Sequence, residues 1–137
     1  MATLSPYLSF RAQAREALEF YRSVLGGELT VSTFGEYGVG GETEADGVMH
    51  GQLVTEDGLV LQGSDVPRAL DFEEGRRITV SLFGDASEAE LLRRRFAALA
   101  EGGEVSEPLE RAPWGDEFGV LTDRYGIGWM VNISGER

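Results

Sequence analysis

The sequence predicts an α+β protein built from two tandem βαβββ units, and three observations lead to this fold class. The phrase Gly26-Gly27-Glu28 recurs as Gly102-Gly103-Glu104, each time after a helical pattern. Each half of the chain also closes on a turn between two apolar runs, at Gly58 and at Gly126. The spacing of apolar residues gives the same order of strands and helix in both halves. Two copies of one small unit predict a pseudo-symmetric protein.

The first half of the chain is predicted as a strand, a helix and three further strands. Alternation up to Phe10 places Leu8 and Phe10 on one strand face and Tyr7 and Ser9 on the other. Apolar residues then recur at three- and four-residue spacing, which predicts an amphipathic helix that ends at the Gly-Gly pair. Apolar runs on both sides of Gly58 predict a hairpin. The predicted strands cover residues 4–10, 28–34, 48–55 and 59–64, and the helix covers 12–25.

The second half repeats this order after a connector. Residues 65–75 contain Pro67 and several charges without a period, so they are predicted to join the two units. Ser87 followed by Glu90 is a capping-box pattern, which predicts the start of the second helix. We expect a single domain over residues 1–137, with units over about 3–64 and 76–134. The predicted strands of the second unit cover residues 77–83, 104–109, 117–121 and 127–133.

Composition excludes several classes of function. The 137 residues include 24 acidic and 12 basic side chains, and a formal net charge of −12 repels phosphate backbones, so we expect no nucleic-acid partner. The absence of cysteine excludes disulfides, thiolate nucleophiles and cysteine-based zinc sites. The sequence shows neither an apolar run long enough for a membrane span nor a signal-peptide pattern. We therefore expect a cytoplasmic, bacterial-type location and no membrane partner.

Several phrases of the chain resemble those of one known family. The first half contributes Pro6-Tyr7-Leu8-Ser9-Phe10, Glu16-Ala17-Leu18-Glu19-Phe20-Tyr21, Val24-Leu25-Gly26-Gly27, Val48-Met49-His50 and Ser64-Asp65. The second half contributes Trp114-Gly115, Phe118-Gly119, Asp123, Gly126 and Trp129-Met130-Val131-Asn132. Together they are similar to the PhnB-like branch of the vicinal oxygen chelate superfamily, alongside glyoxalase I, extradiol dioxygenases and bleomycin-resistance proteins. The resemblance runs the whole length of the chain.

This resemblance implies an architecture and an assembly. The two βαβββ units would have curled mixed sheets that enclose a cleft, with the helices outside, and the protein would be a homodimer. The superfamily hosts many reactions and some pure binders, so the resemblance alone does not specify an activity. Some PhnB-like sequences carry a label for a ubiquinone-pathway methyltransferase. This sequence, however, has no glycine-rich strand-to-helix loop with a ribose-binding acid beyond it.

The resemblance also locates a possible metal site. Metal-dependent relatives hold a divalent ion on four side chains, and the matching positions here are Ser5 or Pro6, Gln62, Arg77 or Ile78, and Met130. A thioether, a guanidinium and a lone amide or hydroxyl do not retain a divalent ion, so we expect no metal cofactor. The alternative is a metal-dependent lyase, isomerase or dioxygenase that uses His50 with Gln62 or Glu117. The repeat sets His50 against Glu117 when Thr55 is matched with Thr122.

Strand alternation predicts a cleft lined by polar and aromatic side chains rather than charged ones. His50, the single histidine, is either a general base near neutral pH or a structural histidine. Trp114 and Phe118 either stack on a flat ligand or pack over the end of the sheet. The glycine-rich stretch 35–47 is either a lid or an ordinary surface loop. The predicted lining is Tyr7, Ser9, His50, Gln52, Gln62, Ser64, Thr79, Ser81, Trp114, Phe118, Met130 and Asn132.

Together these observations favour a metal-free, dimeric protein that binds a small organic molecule in the cleft. His50 is the candidate catalytic residue if a reaction takes place. Whether the chain is an enzyme stays open at this point, as does the identity of the ligand.

Overall fold

Two units of the same topology make up the chain, Met1–Glu74 and Gly75–Arg137. The computed structural model describes residues 3–38, 44–70, 72, 75 and 78–135. Each unit has a four-stranded mixed sheet and one α-helix in the order βαβββ, which confirms the predicted α+β fold class. Arg77, one of the positions matched to the family's metal ligands, and residues 39–43 of the stretch 35–47 lie outside the described residues, so whether that stretch is a lid or an ordinary loop stays a prediction.

In the first unit, strand β1 lies beside the last strand of the unit. The sheet order is β1-β4-β3-β2, with β1 parallel to β4 and the other neighbours antiparallel. The first strand is shorter than predicted, because Pro6 has no N–H for the ladder and Leu4 is fully exposed. The elements of this unit are β1 (Tyr7–Phe10), α1 (Ala14–Leu25), β2 (Glu28–Thr33), β3 (Val48–Val54) and β4 (Val60–Asp65).

The second unit repeats this arrangement. Its sheet order is β5-β8-β7-β6, again with the first and last strands parallel. Ile78, predicted inside the first strand of this unit, is 87% exposed and precedes it. The elements are β5 (Val80–Gly84), α2 (Ala89–Ala100), β6 (Glu104–Arg111), β7 (Glu117–Thr122) and β8 (Gly128–Ile133).

Each unit has its core between its helix and one face of its sheet. In the first unit, the five apolar residues predicted on one face of α1 are all buried: Ala14, Ala17, Leu18, Tyr21 and Leu25. In the second unit, Phe96 and Leu99 of α2 are buried, as is Trp129 of β8. Fully burying a large apolar side chain stabilises the fold by about 1.5–3 kcal/mol. Removing these side chains from water therefore fixes one helix against each sheet.

The helix ends differ in detail from the sequence pattern. The predicted capping box of Ser87 and Glu90 is wrong, because Asp85 accepts hydrogen bonds from the backbone N–H of Ser87 at 2.9 Å and from its hydroxyl. A charged carboxylate is a better acceptor than a serine hydroxyl, so a 3-10 turn over Ala86–Glu88 precedes α2. Both α-helices have 12 residues, and no helix among the described residues is long and apolar enough to cross a membrane.

The repeated Gly-Gly-Glu phrase has the same structural role in both units. A Cβ on Gly27 would overlap the carbonyl oxygen of Val54, and a Cβ on Gly103 would overlap that of Thr122. The chain that enters β2 passes so close to the end of β3 that only glycine fits, and the chain that enters β6 does the same at the end of β7. This shared contact identifies Val54 and Thr122 as equivalent positions.

The turns after these strands give the same alignment of the two units. The N–H of Thr55 bonds the carbonyl of Leu59 at 3.0 Å, and the N–H of Asp123 bonds that of Ile127 at 2.8 Å. Thr55 is therefore equivalent to Asp123. The predicted match of Thr55 with Thr122 was wrong by one residue, because the two phrases share a threonine at different places in the turn.

Candidate functional site

Each sheet has one face that its helix does not cover, and we call these faces open face 1 and open face 2 for the first and second unit. The burial pattern on β1 and β4 alternates, with residues such as Leu8 and Leu61 on the helix side. The residues between them point the other way, because successive side chains of a strand face opposite sides. Open face 1 contains Tyr7, Ser9, Thr30, His50, Gln52, Gln62 and Ser64.

Polar residues on open face 1 are aligned across all four strands. Tyr7 is paired with Gln62, Gln62 with Gln52, and Gln52 with Thr30. A second pair, Ser9 and Ser64, lies further along the parallel strands. This register brings together six of the predicted lining residues on one surface, the sixth being His50.

The closest polar cluster on this face consists of His50, Gln62 and Tyr7. The Nε2 atom of His50 lies 3.1 Å from Oε1 of Gln62, and the ring of His50 lies 6.0 Å from that of Tyr7 at 38°. Tyr7 is 49% exposed, whereas His50 and Gln62 are half-buried. The cluster can present a phenol, an imidazole and an amide to a molecule that covers this face.

Open face 2 has a different chemical character, since aromatic and apolar groups dominate it. Phe83 and Phe118 flank Asn132 in adjacent strands, and Ser81 is paired with Met130. The Trp114 ring meets the Phe118 ring edge-on at 5.7 Å. Phe83 is 78% exposed and Trp114 is 63% exposed. Phe83 was missed in the sequence, although it continues the alternation of the predicted residues Thr79 and Ser81, both of which are exposed.

A buried carboxylate orients the polar centre of open face 2. Asp116, 8% exposed, accepts a hydrogen bond from Nδ2 of Asn132 at 3.1 Å and another from the N–H of Gly135 at 2.9 Å. Because the amide nitrogen donates to Asp116, the amide oxygen of Asn132 is the group left to accept from a ligand. The sequence did not predict this role of Asp116, since its position in a turn before β7 was the one pattern it showed.

Glu117 belongs to the helix side of its sheet. Its carboxylate is ion-paired with Arg93 of α2, with Nε donating to Oε2 at 3.0 Å, and this hydrogen bond lowers the pKa of Glu117. Since Thr55 is equivalent to Asp123, the counterpart of His50 is Phe118, and Glu117 corresponds to Met49. The predicted equivalence of Glu117 and His50 is therefore wrong. Arg95 of α2, the second of two arginines after Arg93, is buried at 8% exposed, although arginine side chains are mostly exposed.

The described side chains are a poor fit to a divalent metal. No three His, Cys, Asp or Glu side chains in the described ranges lie together in an arrangement that could hold an ion. At the positions that the superfamily uses, this chain has Gln62 and Met130, an amide and a soft thioether. These two described positions therefore offer only weak donors to a divalent ion.

A cavity of about 690 Å³ lies in the second unit, beside the start of α2. Arg93 and Glu117 belong to its wall, so it opens on the helix side of the sheet. None of the predicted lining residues contributes to it. Its residues are Ala86, Ala89, Arg93, Glu110, Arg111, Gly115, Glu117, Ile133, Ser134 and Gly135.

Comparison with known proteins gives a family match along almost the whole chain. A family model described as 3-demethylubiquinone-9 3-methyltransferase matches residues 2–132. Protein YjdN from Escherichia coli (strain K12) is 28% identical over 138 residues, which cover 95% of this chain and 94% of YjdN. The crystal structure of protein PA1353 from Pseudomonas aeruginosa is 36% identical, with a TM-score of 0.87, and covers 99% of this chain and 100% of PA1353.

More distant structures share the fold. The PhnB protein from Bacillus cereus is 24% identical with a TM-score of 0.73. The match covers 97% of this chain and 100% of the Bacillus cereus chain. A glyoxalase/bleomycin resistance protein/dioxygenase from Nocardioides is 18% identical with a TM-score of 0.60. The match covers 99% of this chain and 85% of the Nocardioides chain. These similarities confirm the glyoxalase/bleomycin-resistance fold predicted from the sequence.

Proposed function

Because the chain belongs to the 3-demethylubiquinone-9 3-methyltransferase family, the PhnB-like family of the vicinal oxygen chelate superfamily, we propose that it binds a small organic molecule without a metal cofactor. The proposed binding surfaces are the two open faces. The observation that carries the proposal is the cluster of Tyr7, His50 and Gln62. It leaves hydrogen-bonding groups on a sheet face that its own helix does not cover.

The two open faces differ in a way that supports an amphipathic ligand. At equivalent positions of the two units, His50 is replaced by Phe118 and Gln62 by Met130. One face therefore offers hydrogen bonds, and the other offers aromatic and thioether contacts. Ligand sites combine a mostly apolar wall with a few placed polar groups. A flat ring with a polar substituent matches both surfaces.

Methyl transfer, the activity in the family's description, receives no support from the strand-to-helix connections. Nucleotide-type cofactors are commonly held by a glycine-rich loop that leads from a strand into a helix. Here the two such connections, residues 11–13 and 85–88, contain no glycine. We therefore propose binding rather than methyl transfer.

Benzamide is a suitable first probe, because it has a flat ring and a small polar group. We expect a benzamide titration followed by ¹H–¹⁵N NMR to shift the amide signals of β1, β4, β7 and β8. Trp114→Ala should weaken binding about two- to tenfold through loss of aromatic contact. Leu70→Ala is the matched control, since Leu70 is 60% exposed on the connector. Shifts confined to α1, α2 and the connector would overturn the proposed site.

Metal analysis of protein purified without a chelator distinguishes metal-free binding from the metal-dependent alternative. The proposal expects less than stoichiometric Zn²⁺, Mn²⁺, Ni²⁺ and Fe²⁺, and the same benzamide affinity with and without EDTA. A stoichiometric divalent ion that is lost in His50→Ala would replace the proposal with a metal-dependent lyase, isomerase or dioxygenase.

A homodimer is part of the proposal. The family resemblance supports it, as does the exposure of Ile78 at 87% in the second unit, because a large apolar group in water favours association. Sedimentation velocity of the full chain should give the mass of two copies at micromolar concentration. A single monomeric species would contradict this assignment.

A further inference from the structure

We infer that Gln62 is a positioning residue that fixes the proton of His50 on Nε2, so that Nδ1 is a hydrogen-bond acceptor for the ligand. The inference deepens the proposed function by naming the ligand class: a neutral molecule with an N–H or O–H donor beside an aromatic ring. The assignment of Nδ1 as the acceptor for the ligand rests on that function. The assignment of the His50 tautomer concerns the free protein and does not depend on a ligand.

The geometry between the two side chains sets the tautomer. Nε2 of His50 is 3.1 Å from Oε1 of Gln62, which is hydrogen-bond distance. An amide oxygen can only accept, so Nε2 must donate and therefore holds the proton. In a neutral imidazole the other nitrogen is then an acceptor. The pair is formed between neighbouring strands β3 and β4, and its half-buried position limits competition from water.

The accepting nitrogen has no partner among the described residues of the chain. Gln62 is the hydrogen-bond partner of His50 in that part of the protein, and Tyr7 contacts the imidazole through its ring. Nδ1 is not one of the fully buried side-chain atoms without a partner, so it is accessible to a donor from a ligand. An aromatic ligand could lie on Tyr7 and donate to Nδ1 at the same time.

Few titratable side chains share open face 1 with His50. The other titratable side chains that strand alternation places on open face 1 are Tyr7 on β1 and Glu28 on β2, and Glu28 is paired with Val54 at the far end of β3. The open-face residues of β4 are Val60, Gln62 and Ser64, none of which is charged. The amide of Gln62 is therefore the group on this sheet face that selects between the two neutral forms.

Ring-nitrogen NMR tests the tautomer directly. In protein labelled with ¹⁵N at histidine, the single imidazole of His50 should show a protonated Nε2 and an unprotonated Nδ1 above neutral pH. Gln62→Leu should convert this into averaged signals of two tautomers, and Gln62→Glu should keep the wild-type pattern. Gln52→Leu is the matched control, since Gln52 faces Gln62 across the strands and is not bonded to His50. It should leave both nitrogens unchanged.

Two results would overturn the claim that Gln62 fixes the proton of His50 on Nε2. One is a protonated Nδ1 in the wild type, and the other is a Gln62→Leu protein with unaltered ring nitrogens. If Gln62→Leu does not fold, Gln62→Glu decides: a carboxylate in place of the amide should raise the pH at which His50 takes up its second proton. An unchanged titration in this variant would show that the two side chains are not in contact.

Nδ1 as the acceptor for the ligand is tested by comparing benzamide with N,N-dimethylbenzamide, which has the same ring and no N–H donor. Benzamide should shift the Nδ1 signal and bind about two- to tenfold more tightly than the dimethyl compound, the range for one hydrogen bond. Equal affinities, or benzamide binding with no change at Nδ1, would overturn the assignment of Nδ1 as the ligand's acceptor. Failure of both probes to bind would count against the proposed function, and the ring-nitrogen spectrum of the free protein would still decide the role of Gln62.

Discussion

The carboxylate of Asp65, the last residue of β4, binds the backbone N–H of Ala14, the first residue of α1, at 2.9 Å. The same carboxylate accepts from the N–H of Val48 at 2.9 Å, and Asp65 is 8% exposed. One buried side chain therefore satisfies donors at the starts of α1 and β3. A helix N-terminus has free N–H groups that need such acceptors, and α1 has no side-chain cap of its own.

We expect Asp65→Asn to destabilise the protein by about 2–3 kcal/mol. The amide has one acceptor oxygen where the carboxylate has two, so one buried N–H loses its partner. Urea unfolding followed by circular dichroism measures the difference. Asp46→Asn is the control, because Asp46 is exposed and should change stability by less than about 0.5 kcal/mol. Equal effects of the two variants would contradict the capping role.

Gly27→Ala and Gly103→Ala should each destabilise the fold by about 2–3 kcal/mol or more. In both units the new methyl group overlaps a backbone carbonyl oxygen, which cannot move without disturbing the sheet. Gly38→Ala is the comparison, since Gly38 has φ 65° and ψ 27° and open space around it. Its cost should be the smaller one of a left-handed helical backbone alone, about 1 kcal/mol. Thermal unfolding of the three variants measures these costs, and a larger cost for Gly38→Ala than for the other two would contradict the close approach at Gly27 and Gly103.

Ala12→Gly should stabilise the chain by about 0.5–1 kcal/mol. Ala12 has φ 65°, a left-handed conformation that glycine adopts without steric cost. The same substitution at Ala97, exposed within α2, should have the opposite sign and cost about 1 kcal/mol through lower helix propensity. Chemical denaturation of both variants checks the contrast. A destabilised Ala12→Gly protein would show that the strain at this residue is negligible.

The ion pair of Arg93 and Glu117 should contribute stability that depends on pH. Hydrogen bonding to Arg93 lowers the pKa of Glu117 from its ordinary value of 4.5. A lowered folded-state pKa stabilises the protein above pH 4.5, and this contribution is lost as the pH falls through the folded-state value. Arg93→Met should thus be less stable than the wild type at pH 7, and the gap should close in acid.

A matched variant separates this pair from general charge effects. Arg94→Met removes the same charge from an exposed neighbouring position on α2. Its stability relative to the wild type should show no such convergence between pH 7 and pH 3. High salt should also reduce the Arg93→Met effect, because the pair is partly exposed to solvent. A gap for Arg93→Met that persists unchanged at pH 3 would rule out Glu117 as the partner that matters.

Much of the fold was predictable because it depends on short-range patterns. The buried face of α1 follows from apolar spacing, and the order of elements follows from alternation and glycine turns. The starts of β1 and β5 were less accurate, since pairing with β4 and β8 decides where a first strand begins. Arg95 is buried because it lies on the same side of α2 as Leu92, Phe96 and Leu99, although its residue type favours exposure.

For the candidate site, alternation correctly placed Tyr7 with Ser9 and His50 with Gln52. It could not identify contacts between strands, which depend on register. A shift of one residue in the repeat was enough to match His50 with Glu117, although Glu117 pairs with Arg93 on the helix side. Asp116 and Phe83 acquire their roles from neighbours that are distant in the chain, Asn132 above all.

The sequence by itself determined the duplicated βαβββ order, the buried face of α1 and the polar residues that alternate on β1, β3 and β4, because these depend on spacing within one segment. The tertiary structure alone decided that Gln62 meets His50, that Asp65 caps α1 and that Glu117 is engaged by Arg93. Such contacts join residues that are many positions apart. Their geometry is set by strand register and helix packing, which no local pattern encodes.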